Sequence, residues 1–209
     1  MVYIENAMYT NVHPMYTKAL RKGQIMKMVT AKLIAEEWVE RLTPGCERIE
    51  IAGSIRRRKA EVKDIEIVAL PRANRVLEVN IFNQPTKTES QVDLILADML
   101  RKGEFLGLTR NGNRFKQIKT MLGIKIDLFL VMPPAQWGVI YVLRTGPKGF
   151  SHWLVTSSQK GGALPANYQV RDGELLYHGQ ALSTPEEVDF FGAIGLGWIP
   201  PEEREKEGW

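Results

Sequence analysis

The sequence contains one cysteine, Cys46, among its 209 residues. A single thiol excludes an intramolecular disulfide and any zinc site built from several thiolates. No apolar run approaches the roughly 18 residues needed to cross a bilayer, and the N-terminal residues lack the apolar block of a signal peptide. These absences predict a cytoplasmic, intracellular protein with no membrane partner. At 44% apolar residues, the chain is long enough to bury a substantial core in one or two lobes.

The chain also lacks a large charge excess, since its formal net charge is only +4. The positive charge is nevertheless concentrated. Residues 101–125 contain seven basic residues against one acidic residue, a balance of +6, and a second basic cluster lies at 56–63. Concentrated positive charge on a nearly neutral protein indicates a polyanionic partner. Ordinary solvated faces explain such charge runs equally well when the runs are taken alone.

The spacing of apolar residues predicts alternating helices and strands before the double proline at Pro133-Pro134. The expected elements are helices over 31–42 and 92–99 and strands over 48–51, 64–70 and 124–131. After that proline pair the sequence becomes richer in glycine and aromatic residues, which predicts a lobe boundary near residue 134. The features expected beyond the boundary are helices on both sides of Thr145-Gly146-Pro147, a hairpin turn at Asp172-Gly173 and a helix beginning near Thr184.

Three carboxylates lie in predicted strands. Asp64 and Glu66 are two residues apart and project from the same face of one strand, and Asp127 is the sole acid in an apolar strand. If the two strands are neighbours, the three carboxylates converge and repel one another unless a cation lies between them. An all-oxygen site of this kind favours Mg²⁺ or Mn²⁺. In the alternative, which is favoured for an isolated Asp-x-Glu, the pair faces solvent on an edge strand and Asp127 pairs with a basic neighbour.

A candidate phosphate-binding segment precedes the Asp64 and Glu66 pair by about ten residues. Gly53 lets the backbone approach a ligand closely, Ser54 offers a hydroxyl, and amides at the start of a helix favour an anion. Arg57 follows within one turn, and its guanidinium can bind phosphate oxygens with two parallel hydrogen bonds. A Gly-Ser pair alone carries little information. The ordered set with the three carboxylates describes a triphosphate site beside two metal ions.

These motifs resemble those of family X DNA polymerases, the DNA polymerase beta class of the nucleotidyltransferase superfamily. The resemblance runs from about residue 30 to residue 204. It rests on Ile51-Ala52-Gly53-Ser54-Ile55-Arg56-Arg57, Val62-Lys63-Asp64-Ile65-Glu66-Ile67-Val68, Lys125-Ile126-Asp127-Leu128, Gly138-Val139-Ile140-Tyr141, Thr145-Gly146 and the closing residues 195–204. It implies an α+β fold in three parts: an N-terminal extension (1–30), a nucleotidyltransferase palm with a mixed sheet and flanking helices (31–134), and a small α/β thumb-like lobe (135–209).

The resemblance also implies roles for individual residues. Asp64 and Glu66 bind both of two Mg²⁺ ions, for which Mn²⁺ substitutes, and Asp127 binds the catalytic metal and helps to activate the primer 3′-hydroxyl. The expected nucleotide-binding residues are Gly53, Ser54 and Arg57 at the phosphates and Thr145 and Gly146 under the sugar and base. The resemblance places Lys125 at the primer terminus, and the basic segment 101–125 supplies Arg114 and Lys116 as further expected DNA contacts.

Several positions depart from the family pattern. Glu66 replaces the commoner aspartate, Lys63 replaces a glycine, and Leu143-Arg144 stands where many members carry aromatic residues that sense the sugar. The chain also lacks room for the lyase domain of fuller members, so no lyase activity is expected.

The sequence predicts a monomeric, Mg²⁺-dependent DNA polymerase that takes nucleoside triphosphates and extends primers in gapped or primed DNA. Two alternatives stay open: a nucleotidyltransferase acting on RNA, protein or a small molecule, and a non-catalytic nucleic-acid-binding module.

Overall fold

The computed structural model describes residues 25–72, 74–79, 81 and 85–206. The α-helices in these ranges are α1 (Met28–Leu42), α2 (Gly53–Arg56), α3 (Gln91–Arg101), α4 (Trp137–Thr145), α5 (Lys148–Val155) and α6 (Glu187–Ala193). The strands are β1 (Met26–Lys27), β2 (Cys46–Ile51), β3 (Glu61–Val62), β4 (Asp64–Pro71), β5 (Asn74–Val79), β6 (Pro85–Ser90), β7 (Gly107–Asn111), β8 (Phe115–Lys119), β9 (Lys125–Leu130), β10 (Tyr168–Arg171), β11 (Glu174–Tyr177) and β12 (Gln180–Leu182). Short 3-10 helices cover Thr43–Gly45, Ser158–Lys160 and Pro201–Glu205.

The central element is a mixed five-stranded sheet with the strand order β2-β4-β9-β8-β7. Strands β4 and β9 are parallel, and the other neighbouring pairs are antiparallel. The buried side chains of β4 and β9 pack into one core with α1 and α3, which cover one face of the sheet. Because side chains alternate along a strand, the polar residues of β4 and β9 lie on the opposite face. The chain therefore has an α+β fold.

Each covering helix begins or ends at a recognisable signal. Helix α1 buries an apolar stripe that includes Ile34 and Trp38, and Pro44 lies in the 3-10 turn that follows it. Helix α3 begins at Ser90, which forms a reciprocal capping box with Asp93. These helices confirm the two helices expected before the double proline, and the strands expected over 48–51, 64–70 and 124–131 are confirmed as β2, β4 and β9.

A second core lies beyond residue 138. It is formed by residues of α4, α5 and α6 and by Leu175 of the β10-β11-β12 sheet. A small apolar cluster that includes Val68, Trp137 and Tyr141 joins α4 to the five-stranded sheet. The expected helix break at Thr145-Gly146-Pro147 and the hairpin turn at Asp172-Gly173 are both confirmed.

Other expectations differ from the structure. The β5-β6 hairpin was not predicted, because its sequence has little apolar alternation. Helix α6 is capped by Glu186, with Asp189 in a reciprocal box, whereas Thr184 is buried and bonded to Gln136. Of the expected N-terminal extension, residues 1–24 lie outside the described ranges, and residues 25–30 include β1 and the start of α1. Within the described ranges, no helix combines the length and apolarity that a membrane span requires.

A buried ion network joins α2 to the second core. Both Arg56 guanidinium Nη atoms donate to the Glu187 carboxylate at 2.7 Å, and Arg204 Nη1 donates to the same carboxylate at 2.9 Å. Glu187 and Arg204 are only 4% and 0% exposed. Burial alone raises the pKa of Glu187, but the hydrogen bonds from Arg56 and Arg204 outweigh it and hold the pKa below its ordinary value.

Replacing Glu187 with glutamine is expected to lower the free energy of unfolding by about 3 to 5 kcal/mol, because it leaves Arg204 as a buried charge with no counter-charge. Because the native pKa of Glu187 is depressed, the ionised carboxylate adds to the free energy of unfolding above pH 4.5. This contribution is lost as the pH falls through the lowered pKa. Urea unfolding at pH 7 measures the loss. The exposed Glu203, which pairs with Lys206, provides the control variant E203Q; equal effects of the two substitutions contradict the prediction.

Candidate functional site

The three predicted carboxylates lie on neighbouring strands. In the parallel pairing of β4 with β9, Asp64 is the register partner of Lys125 and Glu66 is the register partner of Asp127. The expectation that these strands are neighbours is confirmed, and the edge-strand alternative is wrong, because β4 lies between β2 and β9. Asp127 accepts a hydrogen bond of 2.8 Å from Gln117 of β8 rather than pairing with a basic neighbour.

Burial raises the pKa values of two carboxylates in the cluster. Burial, followed by the nearby charge of Asp64, raises the pKa of Glu66 to about 7, although Arg57 and the Ser54 backbone N–H act in the opposite direction. Burial also raises the pKa of Asp127, with a smaller contribution from Asp64, against the hydrogen bond from Gln117. Two neighbouring carboxylates with raised pKa values favour either a proton or a cation between them.

The turn at the start of α2 holds one of these carboxylates. Gly53 has a φ angle of +58°, and a Cβ atom at this position would lie 1.5 Å from Glu66 Oε2. The Ser54 backbone N–H donates to the Glu66 carboxylate, whereas the buried Ser54 hydroxyl has no hydrogen-bond partner. The glycine is therefore required both for its left-handed backbone and for the space that the carboxylate occupies.

The donor chemistry fits a hard divalent cation. Carboxylate oxygens are the ligands that Mg²⁺ and Mn²⁺ prefer, and burial raises the pKa values of Glu66 and Asp127. The Ser54 hydroxyl adds a buried polar atom that has no hydrogen-bond partner among the described residues. With Glu66 turned toward Gly53, no three His, Cys, Asp or Glu side chains in the described ranges are grouped to hold an ion.

Arg57, the predicted phosphate ligand, is already surrounded by partners. Its side chain is 8% exposed, Nη1 donates to the Thr145 carbonyl, and Nε donates to the Glu205 carboxylate. Thr145 is fully buried, and its hydroxyl accepts a 2.7 Å hydrogen bond from Arg56. With both oxygens engaged, Thr145 positions the two arginines. The nucleotide contact expected at Thr145 stays a prediction.

Gly146 lies at the end of α4, where a Cβ atom would be 2.5 Å from the Phe150 ring and 2.8 Å from Ser151 Oγ. The absence of a side chain there lets α4 and α5 approach each other closely. This packing explains the glycine without a ligand, so the nucleotide contact expected at Gly146 stays a prediction.

The predicted DNA contacts separate into two groups. Lys125 and Arg114 are exposed, and Arg114 lies 3.5 Å from Asp172. Lys116 is only 2% exposed, and its Nζ pairs with Asp93 and donates to Asn111 at 2.7 Å. Its assignment as a DNA contact is wrong, because alternation along β8 directs Lys116 to the core face together with the buried Ile118.

Three further residues belong to the site and were not predicted: Gln117, Arg144 and Glu205. Arg144 lies 4.2 Å above the Phe129 ring. Burial holds the pKa of its guanidinium below the ordinary value, and the charges of Glu66 and Asp127 offset only part of this effect. Phe129 is two residues beyond Asp127 on β9 and therefore on the same face, a signal that was available in the sequence. Glu205 is about 150 residues from Arg57, and no local pattern connects them.

The arrangement combines a carboxylate cluster, a glycine turn with an unpartnered hydroxyl, and arginine side chains within one region. Such a set can bind a divalent cation together with the phosphates of a ligand. Neither a known protein-family model nor a curated protein matches the chain.

Replacing Gly53 with alanine is expected to lower the free energy of unfolding by about 2 to 4 kcal/mol, since left-handed strain and overlap with Glu66 add together. The matched control is G161A, where φ is +81° and no atom lies within 4 Å of the added Cβ. That variant carries the backbone strain alone, about 1 to 2 kcal/mol. Urea unfolding measures both, and equal losses contradict the assigned contact with Glu66.

The raised pKa of Glu66 predicts a pH-dependent stability in the presence of a chelator. Its native pKa of about 7 exceeds the ordinary value of 4.5, so its contribution is complete below pH 4.5 and is lost as the pH rises through 7. At pH 8 the free energy of unfolding of the variant E66Q is expected to exceed that of the unmodified protein by about 3 kcal/mol. Chemical unfolding between pH 4.5 and 8 measures this difference, with E36Q on exposed α1 as control. An unchanged pH slope in E66Q contradicts the assignment.

Proposed function

We propose that this protein is a divalent-cation-dependent nucleotidyltransferase of the DNA polymerase beta kind. It transfers a nucleoside monophosphate from a nucleoside triphosphate to the 3′-hydroxyl of a primer in gapped or primed DNA. The observation that carries the proposal is the parallel register of β4 and β9, which puts Glu66 beside Asp127. The Gly53-Ser54 turn adjoins the same cluster through its contact with Glu66.

In this function each group has a task that its surroundings support. Asp64, Glu66 and Asp127 would hold the cations, and Gln117 orients the Asp127 carboxylate. Bound Mg²⁺ ions supply positive charge that activates the attacking hydroxyl and stabilises the leaving pyrophosphate.

The triphosphate is assigned to the donors around α2. The Ser54 N–H and hydroxyl and the Arg57 guanidinium lie on the segment that contacts Glu66. Hydrogen bonds from a guanidinium to phosphate oxygens are charge-assisted and orient the phosphate chain. These donors would therefore direct the reacting phosphate toward the carboxylate cluster.

The polar face of the sheet supports a nucleic-acid acceptor. One row of register partners across the sheet runs Glu66, Asp127, Gln117 and Arg110, and the adjacent row runs Asp64, Lys125 and Lys119. The carboxylates occupy one side of this face, and exposed cations occupy the other side toward the free edge at β7. A backbone phosphate on the basic side would place the adjoining primer end near the acidic side.

The variant D127N is expected to lose primer extension by about 10² to 10⁴-fold, because an amide of the same shape neither binds the cation strongly nor accepts a proton. The assay is extension of a labelled primer across a one-nucleotide gap with Mg²⁺ or Mn²⁺. D98N, at an exposed carboxylate on α3, is the control and is expected to keep full activity.

Two results contradict the proposed function. One is absence of incorporation by the folded, unmodified protein with either cation, and the other is full activity in D127N. A parallel incubation with labelled nucleotide and RNA or protein acceptors distinguishes the acceptor class. Label on those acceptors but not on DNA indicates that the nucleotidyltransferase acts on RNA or protein and not on DNA.

A further inference from the structure

The carboxylate of Glu205 occupies a position suited to an anionic ligand. Glu205 ends the 3-10 helix Pro201–Glu205, and its two oxygens are bound by Arg57 Nε and by Lys59 Nζ, the latter at 3.0 Å. The Arg57 side chain is almost fully buried at this contact. One carboxylate bound by a guanidinium and an ammonium has the charge and the acceptor geometry of a phosphate group.

The neighbouring residue anchors Glu205 in this place. The guanidinium of Arg204 is fully buried, donates to Glu187 at 2.9 Å and donates twice to the Ile199 carbonyl at 2.8 and 3.0 Å. Because these bonds fix the position of Arg204, the backbone of the adjoining Glu205 is also fixed, and its carboxylate lies against Arg57. This contact differs from an incidental surface pair, in which both side chains are exposed and free to separate.

A second carboxylate of the chain, Glu66, binds the neighbouring donor that was assigned to phosphates. Glu66 accepts the Ser54 backbone N–H, so both the amide and the guanidinium assigned to phosphates already bind carboxylates of the chain itself. Arg57 Nη1 donates to the Thr145 carbonyl. A triphosphate that binds Arg57 Nε and takes the place of the carboxylate at Lys59 Nζ must therefore displace Glu205.

We propose that Glu205 is an internal competitor for the triphosphate, holding Arg57 and Lys59 until a nucleotide displaces it. The inference rests on the proposed function and adds the regulation of its triphosphate site. Nucleotide affinity is set by the difference between two anions binding the same cations. When the Glu205 charge is removed, the triphosphate binds Arg57 and Lys59 without first displacing a carboxylate. The opposite role, in which Glu205 orients Arg57 for the phosphates, predicts the reverse effect.

The test compares E205Q with the unmodified protein and with E203Q, which removes an exposed carboxylate whose ion-pair partner among the described residues is Lys206. The probe is inorganic tripolyphosphate without metal, titrated by isothermal calorimetry at low salt. E205Q is expected to bind it about tenfold more tightly than the unmodified protein, a typical size for coupled sites. E203Q is expected to match the unmodified protein, and R57Q in the E205Q background is expected to remove the gain.

Equal or weaker tripolyphosphate binding by E205Q overturns the inference, as does an equal gain in E203Q or no detectable binding by any of the proteins. These outcomes leave the proposed function standing if the unmodified protein extends primers. In that assay, E205Q is expected to lower the nucleotide KM by a similar factor with kcat little changed. If no variant extends primers, the polymerase proposal fails, while the tripolyphosphate comparison still decides whether Glu205 competes for the anion site.

Discussion

The site depends on the parallel pairing of β4 with β9. Their inward side chains, which include Ile65, Ile67 and Ile126, are fully buried, so the apolar face determines the register of the two strands. A slip of one residue would turn these side chains outward and lose the core. The same register forces Glu66 beside Asp127 despite their repulsion. The apolar core therefore supplies the free energy that holds like charges together on the opposite face.

The candidate phosphate-binding segment depends on contacts from distant parts of the chain. Helix α2 has only four residues, and a helix this short is not stable by itself. Arg56 at its end and the following Arg57 are held by Thr145 at the end of α4, by Glu187 at the start of α6 and by Glu205 near the C-terminal end of the described chain. Movement of those elements would reposition Arg56 and Arg57 relative to the carboxylates.

Local periodicity explains what could be predicted from the sequence. The Asp64-x-Glu66 alternation predicted that both carboxylates share one face of a strand, and the convergence with Asp127 was predicted only on the condition that the two strands are neighbours. The misassignment of Lys116 arose from counting charges without applying the same alternation to β8. The contacts of Arg144 and Glu205 were beyond such arguments. They depend on how α4 and the last 3-10 helix pack against the sheet, which no short-range pattern encodes.

The charges of the site divide into an acidic half and a basic half. Glu66 and Asp127 lack a nearby cation sufficient to restore their ordinary pKa values, whereas Arg57 has a carboxylate, Glu205, in direct contact. The acidic half is thus short of positive charge, while the basic half is already neutralised by the chain. A ligand that brings cations and phosphates together corrects the first imbalance and replaces the carboxylate in the second. A metal–triphosphate complex has this combination of charges, whereas a free anion or a free cation satisfies only one half of the site.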